Sequence, residues 1–421
     1  MSAPTSPPGS VRRHGRNISH PMVRRTTKGP LDAPIDDPLS EPPSSVASPA
    51  PFAKLEDPPR QSPIPEPALT QANVDLKFLQ NSQIYHPLPT DDVHPAFLSS
   101  PQKPPLDTPL PDLIQAGHFR RAADAATRSL LRCDPADAET ILHLLYTRLA
   151  CLILISRPDI AVQEAIPLTE TLARNLPAAK DLVPLIPWGL RLLLVRMQSI
   201  GAADGGRRGV MALYALAAEV RSNLKQAQAD NEASEIQIWE ARLQDLGLRV
   251  ADALVEMGEL ETANRHLDTL TDNAADEIAY RKALLRIRVG DVSGAQQSLT
   301  RLQGARKTAL TALLEAAEGD YSTAEETWRA LAKEPESALA ANNLAVSLLY
   351  TGHIDQARQT LENIIEISPS FAGALFNVAT VYELCTERAN GPKGELAQKL
   401  AAKRPSPESG GWEKVNFDFK L

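Results

Sequence analysis

The side chains able to do chemistry in this sequence are scattered rather than grouped. Its eight histidines and three cysteines are the natural candidates for metal ligation, proton transfer or nucleophilic attack. No helix carries His-Glu-x-x-His, the spacing that places two imidazoles on one face for a metal. His118 and His353 each directly follow a glycine, a position suited to covering the carbonyls of a helix end. Cys133, Cys151 and Cys385 form no Cys-x-x-Cys pair and leave an odd one over, so they indicate reduced thiols rather than a disulfide framework or a zinc site. The loop from Gly201 to Gly209 lacks the Lys-Ser/Thr pair and the preceding strand of a phosphate loop. No serine occupies a strand-turn-helix elbow. The expectation is a chain with no catalytic residue, no cofactor and no metal, and therefore not an enzyme.

What remains is the chemistry of surfaces, and composition bounds it. Hydrophobic residues make up 43% of the 421, but aromatics only 5%. A core rich in alanine and leucine and poor in rings suits close-packed helices better than sheets. The net charge of −8 argues against nucleic acid as a partner, because phosphate binding needs a basic face. The longest apolar stretch, Ile141 to Ile155, is too short to span a bilayer and carries His143 and Arg148. The opening residues are Pro- and Ser-rich rather than apolar, unlike a signal peptide, so the protein is expected to be soluble and cytoplasmic.

Proline divides the chain. Twenty-four of the 35 prolines precede residue 112. Residues 1–72 are expected to be a disordered Pro/Ser-rich tail, since they can bury little apolar surface. Residues 1–30 hold Arg12, Arg13, Arg16, Arg24, Arg25 and Lys28 and no acid, which makes them either a weak electrostatic handle for acidic surfaces or merely a solvated tail. From residue 73 to 111 large apolar side chains appear among the prolines: Phe78, Leu79, Ile84, Tyr85, Leu88, Val93, Phe97 and Leu98. This segment is expected to be a partly ordered, extended, non-helical strap lying along a groove.

Residues 112–403 read as a helical-repeat solenoid. One register recurs: a glycine, an alanine five residues later, and larger apolar residues nine and twelve after the glycine. The copies are Gly258–Ala263–Leu267–Leu270, Gly290–Ala295–Leu299–Leu302, Gly319–Ala324–Trp328–Leu331 and Gly352–Ala357–Leu361–Ile364, with a weaker one at Gly117–Ala122. The last four glycines are 32, 29 and 33 residues apart, and Pro335 and Pro369 follow the last two copies. The glycine ends a first helix in a conformation that a Cβ resists. The alanine marks the closest crossing of two helices. The larger residues bury one face of the second helix. Between residues 137 and 229 the glycine rule lapses while helical periodicity continues, with helices expected near 137–156, 159–175, 181–200 and 207–230. These are degenerate repeats or two longer helix pairs.

The pattern resembles the tetratricopeptide repeat, most fully in Asn343-Leu344-Ala345, Leu348, Gly352, Ala357, Leu361 and Pro369. Asn377 and Ala379 follow 34 residues after Asn343 and Ala345. In chaperone-binding members of that family an asparagine at this place joins lysines and arginines in holding a carboxylate. Here the partner positions are Ala309, Leu313, Gly373 and Asn377, none of them basic, so the asparagines are expected to make hydrogen bonds between helices.

Several segments also resemble the twelfth-subunit family of the transport protein particle (TRAPP) complex. They are the run from Asn342 to Gly352, the run Leu375-Phe376-Asn377-Val378-Ala379-Thr380-Val381-Tyr382-Glu383-Leu384, Tyr85-His86-Pro87-Leu88, the segment from Leu190 to Leu194, and Trp239-x-x-Arg242-Leu243. The resemblance covers roughly residues 76–390. It implies a scaffold subunit of a vesicle-tethering assembly that activates a Rab GTPase by nucleotide exchange, in ER-to-Golgi traffic and autophagy. Implied with it are contacts to other TRAPP subunits, the eleventh above all, and membrane association only through the complex, at ER-Golgi intermediate and Golgi membranes. The alternatives are a tetratricopeptide co-chaperone or a scaffold of another large assembly.

Residues 404–421 form a C-terminal tail. From Val415 it alternates apolar and polar residues with the period of a half-buried strand. It could fold back as a cap on the last helix pair, add a strand to a partner's sheet edge, or stay disordered.

Overall fold

Antiparallel helices joined by tight turns run from Leu110 to Ala402 in the computed structural model. It describes residues 75–173, 181–200, 204, 206–270, 275–333, 338–406 and 410–421. The basic and Pro/Ser-rich tail and Pro335 lie outside them. In chain order the helices are α1 (Pro95–Leu98), α2 (Leu110–Gln115), α3 (Phe119–Leu130), α4 (Ala138–Leu154), α5 (Pro158–Ala173), α6 (Trp188–Ser199), α7 (Arg207–Asp230), α8 (Ala233–Glu256), α9 (Leu260–Thr269), α10 (Ala275–Val289), α11 (Val292–Leu299), α12 (Gly304–Ala317), α13 (Tyr321–Leu331), α14 (Ala338–Tyr350), α15 (Ile354–Ile367), α16 (Ala372–Cys385) and α17 (Asn390–Ala402). Among the described residues there is no strand, only one antiparallel bridge between Val93 and Val415. The fold is an all-α, tetratricopeptide-like array of helix pairs.

The turns within the pairs share one backbone device. Gly117, Gly258, Gly290, Gly319 and Gly352 all have positive φ, between 72° and 90°. The residue after each glycine turns its N–H back to the carbonyl five positions earlier: His118 to Leu113, Glu259 to Leu254, Asp291 to Arg286, Asp320 to Glu315 and His353 to Leu348. That bond satisfies a carbonyl the helix cannot reach itself and reverses the chain in two residues. Asp291 and Asp320 then accept from the N–H of Gly294 and Thr323, capping the next helix within the same turn. Five residues beyond each glycine, Ala122, Ala263, Ala295, Ala324 and Ala357 are all fully buried. Leu267, Leu299, Trp328 and Leu361 are buried one turn further on.

Where the glycine rule lapses in the sequence, the device does not. Ser156, at φ 59°, takes the place of the glycine between α4 and α5, and the N–H of Arg157 reaches back to Leu152 in the same way. Ala161, Ala165 and Leu168 follow at five, nine and twelve residues, all buried. The sequence hides this copy because serine stands at a left-handed position, where L-residues with a Cβ pay about 1–2 kcal/mol. Asn231, at φ 57°, does the same between α7 and α8, two 24-residue helices longer than the repeats around them.

The segment before α2 differs from the non-helical expectation. It contains two 3-10 turns, Lys77–Gln80 and Ser82–Ile84, and the single helical turn α1, which starts on Pro95 at a position where a missing N–H costs nothing. Four of its apolar side chains divide between two cores, while Phe78 and Leu98, expected among the buried anchors, are exposed. Leu76 and Leu79 join α4 to α6, and Val93 and Phe97 join the core built from α12 to α17.

Candidate interaction surfaces

Three polar arrangements hold this scaffold, and each unites residues far apart in sequence. The first lies under the strap. Arg148 on α4 donates to both carboxylate oxygens of Glu164 on α5, at 2.8 and 2.9 Å, and both side chains are sealed from solvent. Glu164 also accepts from the His86 N–H at 2.8 Å, while Arg148 donates to the His86 carbonyl at 2.8 Å. The pair thus grips the backbone of one strap residue, His86, by its donor and its acceptor, so that neither buried charge is left unpaired. Beside it, burial pushes the Tyr85 phenol upward, Glu164 adding to the rise, and the hydroxyl donates to the Leu79 carbonyl at 2.7 Å.

The second arrangement is made by the C-terminal residues. The Trp412 backbone N–H donates to the Gly117 carbonyl at 2.9 Å, and the indole packs edge-on against His118 and Phe97 with ring centres 4.9 and 5.4 Å away. A Cβ on Gly117 would stand 3.1 Å from the Ser406 carbonyl, so this turn needs glycine for space as well as for φ. Arg120 binds Glu413 at 2.8 Å and the Pro89 carbonyl, tying α3 to the strap and the tail together. Burial raises the Glu413 carboxyl, and Arg120 pulls it back. Further along, buried Lys393 on α17 donates to Glu383 at 2.7 Å and to the Lys420 carbonyl at 3.1 Å. Ser100 donates to the Ala401 carbonyl at 2.5 Å. The tail therefore binds the first turn of the array and its last two helices at once.

The strand pattern in that tail does not yield a strand. His94 donates to the Lys414 carbonyl and Asn416 to the Asp92 carbonyl, one bridge's worth of bonds, after which Asn416–Phe419 close into a 3-10 turn. Phe419 is fully buried against His94 while Phe417 is 75% exposed, so period two does not survive beyond Val415. With a single short partner segment available, the backbone satisfies itself by turning.

The third arrangement joins α14 and α16. Asn377 donates to the side-chain oxygen of Asn342 at 2.9 Å, and Asn342 lies 3.4 Å from that of Asn343. Asn343 and Asn377 hold equivalent repeat positions in the sequence, but across the helices Asn377 meets Asn342, the more buried neighbour of Asn343. Tyr382 donates to Glu362 on α15 at 3.0 Å, and burial followed by that carboxylate raises its phenol. Ala345 and Ala379 are fully buried. The histidines after the turn glycines act through their backbone N–H groups rather than their rings. The His118 ring packs on Trp412, and that of His353 lies 3.0 Å from Thr351. Sequence reasoning missed Glu164, Arg120, Lys393 and Ser156, because their partners or their roles are set by fold rather than by spacing.

No family model matches the chain. Among curated proteins it is similar to trafficking protein particle complex subunit 12 of Mus musculus, 23% identical over 248 residues, and of Homo sapiens, 22% identical over 248 residues. The resemblance read from the sequence is borne out. Each alignment covers 52% of this chain but only 31% and 34% of those relatives' length. Two solved structures resemble parts of the array. A tetratricopeptide repeat protein from Parabacteroides merdae has 15% identity and a TM-score of 0.38, covering 62% of this chain and 99% of that one. The TPR domain of P58(IPK) has 14% identity and a TM-score of 0.20, covering 69% and 90%. The repeat assignment rests on the turns and crossings themselves. Among the described residues, no helix is long and apolar enough to cross a membrane.

Proposed function

We propose that this chain is a non-catalytic scaffold subunit of a TRAPP-type assembly that tethers vesicles and activates a Rab GTPase by nucleotide exchange. The observation that carries the reading is its similarity to the twelfth subunit across half the chain, on a framework of stacked helix pairs. Such a framework supplies extended surface and no reaction centre. In this reading the array binds other TRAPP subunits, the eleventh foremost, reaches the Rab GTPase only through them, and acts in ER-to-Golgi traffic and autophagy while peripheral to Golgi-related membranes. Purification of the tagged full chain from cells, followed by mass spectrometry, tests it. Co-purification of TRAPP core and eleventh subunits in amounts comparable to the bait is the expected result. A preparation holding chaperones, or no TRAPP subunit, would overturn it.

A further inference from the structure

The turns at Gly319 and Gly352 leave a pocket of about 480 Å3 between two successive helix pairs, lined chiefly by Asp320, Tyr321, Glu325, Glu326, Tyr350 and His353. Tyr321 opens α13 and Tyr350 ends α14. Their rings stack in parallel, 4.2 Å between centres and 4° between planes. Tyr350 nevertheless remains 65% exposed. Tyr321 covers one of its faces, and a ring stacked on one side only offers its other electron-rich face to solvent.

The carboxylates of the pocket differ in how far they are committed. Asp320 caps α13 through Thr323. Glu325 accepts from Arg329 at 2.7 Å and from Thr351 at 2.9 Å, and these bonds hold its carboxyl below the usual range. Glu326 is exposed and has no hydrogen bond or ion pair among the described residues. Against three carboxylates stand Arg329, already engaged, and His353, 3.9 Å from Glu325. Elsewhere on the array comparable carboxylates meet arginines across helices, as Glu219 meets Arg191 and Glu277 meets Arg306. Among the described residues this concave acidic site has an aromatic wall, and no cation is paired with Glu326.

We infer that this pocket receives an arginine side chain from a basic segment of a partner protein. A guanidinium is planar and weakly hydrated, so it can lie parallel on Tyr350 as a third layer of the stack. In that position its fork of donors faces the carboxylate wall, and Glu326 supplies the acceptor the protein itself does not use. A lysine ammonium carries charge but no plane, which is why the stacked pair selects arginine. The inference concerns one pocket and does not depend on which assembly the chain joins.

Calorimetric titration of the full chain with a hexa-arginine peptide, and with hexa-lysine beside it, tests the site. Tyr350→Ala removes the exposed ring without altering charge. It should weaken hexa-arginine binding by more than about twofold and up to about fivefold, the order of a cation–π contact at an exposed position. Tyr350→Phe, which keeps the ring, should bind like wild type. Glu326→Gln should weaken binding more than Glu259→Gln, an equal change of charge at an exposed carboxylate in a distant turn. Melting temperatures matching wild type confirm that the variants are folded. The inference fails if Tyr350→Ala binds within about twofold of wild type, a loss smaller than such a contact. It also fails if the two glutamine variants weaken binding equally, or if hexa-lysine binds as tightly as hexa-arginine.

Discussion

In the four pairs from Gly258 to Ile364, the residues that shape each turn and crossing lie within about a dozen positions of one another: a glycine at positive φ, an alanine with no exposed surface, and the larger side chains beyond it. The part built from the strap and α3 to α5 is fastened otherwise. Its Arg148–Glu164 pair closes on His86, 62 and 78 residues away from the two charges, and its first turn is closed by Trp412 from the other end of the chain. The first region repeats a local rule, and substitution there should act on one pair and its neighbours. In the second, single side chains hold three or four segments, and their loss should be felt in all of them.

Glu164→Ala puts that difference to its sharpest test. It leaves Arg148 buried with only the half-exposed Asp124, 3.4 Å away, as a carboxylate partner and frees the His86 N–H, so it should cost about 3 kcal/mol. Adding Arg148→Met should recover part of the loss, because the weakly compensated charge goes with it. Denaturant melts of the two variants decide this; if the double variant is the less stable of the two, the pair is not the anchor of the strap. Ala357→Arg probes the local region. It forces volume and charge into a crossing with no free space and should cost on the order of 3 kcal/mol. A melting temperature within a degree or so of wild type would mean that the register is misplaced.

A mirrored pair of substitutions compares the two regions at the same backbone position. Gly352→Ser places a Cβ at φ 85° and should destabilise by about 1 kcal/mol. Ser156→Gly relieves the same strain at φ 59°, and part of the gain is offset by the larger entropy of the unfolded chain, leaving a rise below about 1 kcal/mol. Equal and opposite shifts are not expected, but shifts of the same sign would contradict the equivalence of the two turns.

The smallest effect concerns pH at the tail. Burial, aided by nearby Arg121, lowers the His118 pKa. The unfolded chain therefore binds more protons than the folded one, and this contribution to stability is present at neutral pH and lost as pH falls below the unfolded value near 6.5. His118→Phe keeps an aromatic edge against Trp412 but cannot titrate. Wild type should lose more melting temperature than this variant between pH 7.5 and pH 5.5, and an identical loss would show that His118 titrates alike in the folded and unfolded chains. Glu413 in the same contact shifts in the opposite sense, so the comparison is made at matched pH.

The all-α architecture was legible because its cause is local. A glycine ends a helix within its own turn, and the alanine five residues on packs against the helix just before it, so both leave a period in the sequence. The resemblance to the twelfth-subunit family was carried instead by particular runs such as Leu375 to Leu384, not by any period. The copy at Ser156 escaped because a turn can hold a serine at modest cost, and spacing alone does not reveal a backbone angle. What the tail and strap do was open in the sequence. Val415-Asn416-Phe417 reads as a strand, but a strand needs an edge, and whether one exists is a property of segments three hundred residues apart. The buried partners of Arg148, Arg120 and Lys393 were likewise decided only in three dimensions. Sequence periodicity fixes which face of a helix is apolar, but the few charges that cross into the interior are paid for by partners that only the fold brings near.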